Sequence, residues 1–106
     1  MNDRELLEKA AKAAGIETKR MWHESLNMGQ GAFMSPEGYP WNPLTDDGDA
    51  LRLAAKLKIS LSIGTDTVEA YKGQEDGKLQ MNEGDFNAAT RRAIVRAAAA
   101  IGETMK

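Results

Sequence analysis

TDDGDALRLAAKLKISLSIGTDTVEAYK, residues 45 to 72, changes its period halfway along. Over residues 46 to 57, Ala50, Leu51, Leu53, Ala54 and Leu57 recur at helical spacing and give a broad face for burial. Thr45 is the predicted N-cap. Asp46, Asp47 and Asp49 load the first turn, where the helix dipole favours negative charge. From Lys58 to Ile63 the pattern switches to a period of two, with Ile59, Leu61 and Ile63 on one side and Ser60 and Ser62 on the other. Gly64-Thr65-Asp66 reads as a turn, and Thr67 to Lys72 returns as an antiparallel strand. A helix that runs straight into a hairpin places the chain in the α+β class.

Working outward, residues 3 to 14 form a further helix on the face of Leu6, Leu7, Ala10 and Ala14. Asn2 and Glu5 have capping-box spacing at its start, and Gly15 follows as a stop. Thr18 to Ser25 reads as a short strand carrying Met21 and Trp22. Gly29, Gly31, Pro36, Gly38 and Pro40 break up the next stretch, which predicts a mobile loop near residues 27–40. Residues 73–84 are polar and Gly-rich and predict a second loop, with room for a short strand near Leu79 and Met81. The last helix spans about 86 to 101, with Asp85 as cap, Gly102 as stop, and a stripe of Phe86, Ala93, Ile94, Ala97 and Ile101. No repeat or linker divides the 106 residues, so one domain is expected. The arrangement predicted is a small antiparallel sheet of about three strands packed with three helices, with an α-β-α sandwich as one layering.

Composition narrows the function. A net charge of −2 argues against a dedicated nucleic-acid binder, which normally carries a basic excess. The absence of cysteine removes disulfides, thiolate metal sites and a thiol nucleophile together. No apolar run approaches the roughly 20 residues that span a bilayer. Charges fill Met1 to Leu7, where a signal peptide needs apolar residues, so a cytoplasmic location is expected.

Four groups of residues invite a functional reading. Asp46, Asp47 and Asp49 are close enough to hold a hard cation, but they lack the calcium-loop spacing, and capping accounts for them without a metal. His23, the only histidine, has just Glu24 nearby, on the opposite side of the strand, and reads as a solvent-facing residue. Trp22, Phe33, Tyr39 and Trp41 cluster among glycines and prolines. Trp22 and Trp41 read as core, while Phe33 and Met34 fit a binding surface or disorder equally. Arg91, Arg92 and Arg96 could form a phosphate-binding face that Lys58 or Lys72 extends, or a solvated face balanced by acids. Gly29-Gln30-Gly31 lacks the third glycine and the βαβ setting of a dinucleotide fingerprint. No catalytic motif or cofactor signature is present.

Two segments carry a resemblance. Trp41-Asn42-Pro43-Leu44-Thr45-Asp46-Asp47-Gly48-Asp49-Ala50-Leu51-Arg52-Leu53 and Ala89-Thr90-Arg91-Arg92-Ala93-Ile94-Val95-Arg96-Ala97-Ala98 resemble a family of small bacteriophage and prophage proteins. Glu5-Leu6-Leu7 and Ala14-Gly15-Ile16 fit the same pattern, so the likeness covers about half of the chain. It implies a viral accessory protein acting in the host cytoplasm, related to α-β-α sandwich domains, and it brings no catalytic residues.

The function predicted is therefore non-enzymatic binding of a host or phage macromolecule, a protein rather than nucleic acid or membrane, without a cofactor or metal. Trp41, Asp46, Asp47, Asp49 and the three arginines are the surfaces to test. Sequestration of a small molecule or nucleotide is the alternative. A thin core and an exposed sheet edge also make a homo-oligomer reasonable.

Overall fold

The computed structural model describes residues 2–16, 22–23, 31–34, 40–63, 67–72, 75–76, 79–80 and 86–105. Helix α1 (Asp3–Ala14) begins and ends at the predicted signals. The Asn2 side chain accepts the Glu5 N–H at 2.8 Å, and the Gly15 N–H turns back to the carbonyls of Ala11 and Lys12. Leu7, Ala10, Ala11 and Ala14 are buried.

β1 (Trp22–His23), β2 (Ala32–Met34) and β3 (Pro40–Trp41) form a small antiparallel sheet with β2 in the middle. Phe33 stands opposite both Trp22 and Trp41, so the three aromatic residues share one face. The Trp22 and Phe33 rings meet edge to face at 5.0 Å. Trp41 is buried and Trp22 packs against the core, as predicted for both, and His23 is exposed. Phe33 is only 2% exposed, which corrects its reading as a surface or disordered residue. The stretch 27–40 is likewise not a loop throughout, because it contains β2 and the start of β3. A three-residue strand shows no alternation among glycines and prolines; partners distant in sequence give it its order. Residues 27–30 and 35–39, and the rest of the strand predicted from Thr18 to Ser25, lie outside the described residues.

Helix α2 (Asp47–Leu57) is capped by Asp46 instead of Thr45. Thr45 sits in the preceding turn, where its N–H and its hydroxyl both donate to the Asn42 carbonyl. Lys58, read as the first strand residue, closes the helix in the left-handed region at φ +56°. β4 (Ser60–Ile63) then pairs with β5 (Thr67–Lys72) in unbroken antiparallel register from Ser60↔Tyr71 to Ile63↔Val68. The second predicted loop carries two short strands, β6 (Glu75–Asp76) and β7 (Leu79–Gln80), both paired with β5.

Helix α3 (Phe86–Glu103) runs past Gly102, the predicted stop. Asp85, its predicted cap, lies outside the described residues. Ala89, Ala93, Ile94, Val95, Ala97, Ala98 and Ala99 are buried, more than one stripe, because α3 packs on α1, α2 and the four-stranded sheet. Alanine permits this close approach on several sides.

The fold is α+β, as the change of period predicted. One core cluster joins Leu7 of α1, Phe33 and Trp41 of the first sheet, Leu53 of α2, Val68 of β5 and Ile94 of α3. Leu51, read as part of the buried face of α2, is 65% exposed, and Leu61 of β4 is 39% exposed. Among the described residues, no helix is long and apolar enough to cross a membrane.

Candidate functional site

The segment from Trp41 to Arg52 leaves the aromatic sheet and enters α2, and it does so around two buried polar side chains, Asn42 and Asp49. Asn42 follows Trp41 at the end of β3. Its Nδ2 donates to the Gly31 carbonyl at 2.8 Å, and its Oδ1 accepts the Leu44 N–H at 2.9 Å. Its own carbonyl accepts the N–H groups of Thr45 and Asp46. An asparagine before proline favours a turn, and here both of its amide atoms are used in holding one. Gly31 must be glycine at this point. Its φ is +86°, and an added Cβ would lie 2.4 Å from Cζ2 of Trp22. The aromatic row and the turn are thus joined through one backbone group.

Asp49 completes the arrangement. It is 7% exposed, yet its carboxylate is satisfied. Oδ2 accepts the Asn42 N–H at 2.9 Å, and Oδ1 accepts from Arg52 Nη2 at 2.7 Å. Asp46 caps the helix by accepting the Asp49 N–H at 2.8 Å. Its Oδ2 also stands 3.9 Å from Arg52 Nη2. Ala32, Pro40, Asn42, Thr45, Asp46, Asp49 and Arg52 line a cleft of about 370 Å³. The side chains of Asp46 and Arg52 at this cleft are 57% and 73% exposed.

The predicted arginine face divides. Arg91 donates through Nε to the Leu44 carbonyl at 2.8 Å and through Nη1 to Asp47, tying α3 to the start of α2. Arg92 reaches Asp3 at the start of α1, at 3.2 and 3.4 Å. Arg96 is exposed and has no carboxylate partner among the described residues. Two of the three arginines therefore brace helices in different directions, so they do not present one joint surface. Trp41 is core, and Asp47 pairs with Arg91.

Chemically the cleft offers hydrogen-bond donors and acceptors, with two carboxylates, one guanidinium, an amide and a hydroxyl along its lining. Among the described residues, no group of three His, Cys, Asp or Glu side chains is placed to hold a metal ion. Asn42 and Arg52 carry the site without having been singled out from the sequence. The available signals were an asparagine between Trp41 and Pro43, and an arginine three residues after Asp49, on the same helical face. Replacing Asp46 with alanine is expected to cost about 1 kcal/mol of stability through the lost cap. Urea unfolding measures this, and an unchanged midpoint would show that the cap is redundant. No protein-family model, curated protein or solved structure matches this chain.

Proposed function

We propose that this chain is a non-enzymatic bacteriophage accessory module that binds a host or phage macromolecule, with the Asp46–Arg52 cleft as its contact surface. One observation carries the reading: the cleft is preformed. Asn42 and Asp49 hold its floor through buried hydrogen bonds, while Asp46 and Arg52 stay exposed at it with their charges in place. A site ordered before binding avoids much of the entropic cost of association. The lining has two carboxylates, Asp46 and Asp49, against one guanidinium, Arg52. That balance suits a protein surface offering both signs of charge better than a phosphate backbone.

The test is affinity capture from bacterial lysate, with and without nuclease, on the wild type and on Arg52→Ala and Arg96→Ala. A protein that survives nuclease is expected, with recovery reduced about tenfold by Arg52→Ala. Equal recovery with the folded Arg52→Ala variant would remove the cleft from the reading. Arg91 and Arg92 are poor choices for this test, because their loss loosens helix contacts as well as any surface.

Cleft volume favours one second reading, a small-molecule site. About 370 Å³ lies within the range of roughly 300–1,000 Å³ common for ligand pockets. A thermal-shift screen that includes nucleotides separates the two. A true ligand at about 100 times its dissociation constant adds about 2.7 kcal/mol of stability.

A further inference from the structure

Arg52 brings unspent hydrogen-bond donors to the Asp46–Arg52 cleft. Its Nη2 donates to Asp49 Oδ1 at 2.7 Å and stands 3.9 Å from Asp46 Oδ2, which fixes the guanidinium at the start of α2. Among the described residues, its Nε and Nη1 have no acceptor. The carboxylates are more fully used. Asp49 accepts through both oxygens, and Asp46 Oδ2 accepts the Asp49 N–H. A guanidinium has two edges that can each hold a carboxylate by two parallel bonds, and Nη2 gives one hydrogen to each edge. Asp49 takes one of these hydrogens, so the other edge stays whole. Gly48 makes the seat. A Cβ at this position would lie 3.2 Å from Nη1 and 3.3 Å from Nη2, closer than side chains normally pack. Glycine is a poor residue within a helix, yet it stands second in α2, where its bare Cα lets the guanidinium lie against the first turn. Departures from local rules of this kind are expected at functional sites.

We propose that the cleft binds a carboxylate group of its protein partner through the free edge of Arg52. The inference rests on the reading of this cleft as the contact surface and adds the chemistry of the group that enters it. The Arg52 side chain is 73% exposed, so an incoming carboxylate displaces water and no buried partner. The ion pair with Asp49 orients the guanidinium in advance, so little further side-chain freedom is lost on binding. Asp46 makes the site selective. Its Oδ1 accepts no hydrogen bond among the described residues, and its charge repels a ligand that is anionic throughout. A carboxylate with an N–H donor beside it satisfies Arg52 and Asp46 together. Two parts of a protein offer that group: the end of a chain, where the last N–H stands next to the carboxylate, and an acidic side chain beside its own backbone N–H.

Heteronuclear NMR of the arginine Nε–Hε groups tests this directly. The protein is titrated with N-acetylglycine, which carries the chain-end form of the group, and with N-acetylglutamate amide, which carries the side-chain form. Sodium chloride at the same ionic strength is the control. A saturable shift of the Arg52 resonance is expected, several times that of Arg96, which is exposed and has no carboxylate partner among the described residues. The probe that binds more tightly identifies the source of the carboxylate. Arg52→Lys keeps the charge and removes the fork, and Gly48→Val keeps every charge and fills the seat. Each is expected to weaken the better probe about tenfold, read from the Asn42 side-chain amide resonances. An Arg52 resonance that moves no more than that of Arg96 overturns the proposal, and so does undiminished binding by folded Arg52→Lys. Far-UV circular dichroism reports folding, and if Gly48→Val does not fold, Arg52→Lys decides alone. Neither probe is a macromolecule. Lysate capture that finds no partner therefore removes the proposed function and leaves this result standing, while a captured partner with a silent Arg52 removes the carboxylate alone.

Discussion

Gly102→Ala is expected to destabilise the protein by about 2 kcal/mol, although alanine is the better helix former. Gly102 lies inside α3 against α1, and an added Cβ would stand 2.0 Å from the carbonyl oxygen of Lys9 and 2.8 Å from its carbonyl carbon. The obstacle is backbone, so no side-chain rotation relieves it. The two helices must separate along the interface where Ala10, Ala11, Ala14, Ala97 and Ala98 are buried. Overpacking of this kind costs roughly 1–3 kcal/mol, with the upper end fitting a rigid neighbour. The helix-propensity gain of alanine over glycine offsets about 1 kcal/mol of that. For a domain of this size, about 2 kcal/mol lowers the melting temperature by about 10 °C. Thermal unfolding of Gly102→Ala and Gly102→Val checks this, with valine lower still. An alanine variant as stable as the wild type would mean that the helix ends meet less closely than described.

Asn42→Ala should be more damaging, with an expected loss of about 3 kcal/mol. The substitution leaves the Leu44 N–H and the Gly31 carbonyl buried without their partner. Each such orphan costs roughly 1–3 kcal/mol, far more than the net value of a satisfied bond. Against a total stability on the order of 5 kcal/mol, the variant should be largely folded at low temperature and unfold early on warming. Under the proposed function, binding at the cleft should fall with it, because Asn42 holds the turn that brings Asp46 and Asp49 into place. Equilibrium urea unfolding measures the loss. A value under about 1 kcal/mol would show that water replaces the amide at both groups.

Both effects rest on distant contacts, which explains why the sequence disclosed the site only in part. Asp46, Asp49 and Trp41 stood out by residue type, and the core role of Trp41 followed from local rules, whereas the cap was expected at Thr45 and falls on Asp46, and Asp49 is buried against Asn42 and Arg52. Asn42 did not stand out, because its partner Gly31 lies on a neighbouring strand of a sheet that no periodic pattern announced. Arg91, Arg92 and Arg96 read as one face because all three lie off the apolar stripe of the helix. Adjacent helical residues point about 100° apart, and Asp47 and Asp3 draw Arg91 and Arg92 toward different helices.

Local chemistry by itself determined the three helices, the cap at Asn2, the hairpin of β4 and β5 and the α+β class. Each depends on interactions within a few residues, where period, caps and turns act directly. Tertiary structure alone decided that Phe33 is core, that Gly102 is a contact and no terminus, that Asn42 and Arg52 build the cleft, and that Leu51 and Leu61 remain exposed. Those outcomes depend on which surfaces meet. A side chain's burial, or the space beside a glycine, belongs to the neighbour that arrives there, and that neighbour is set by the packing of the whole chain.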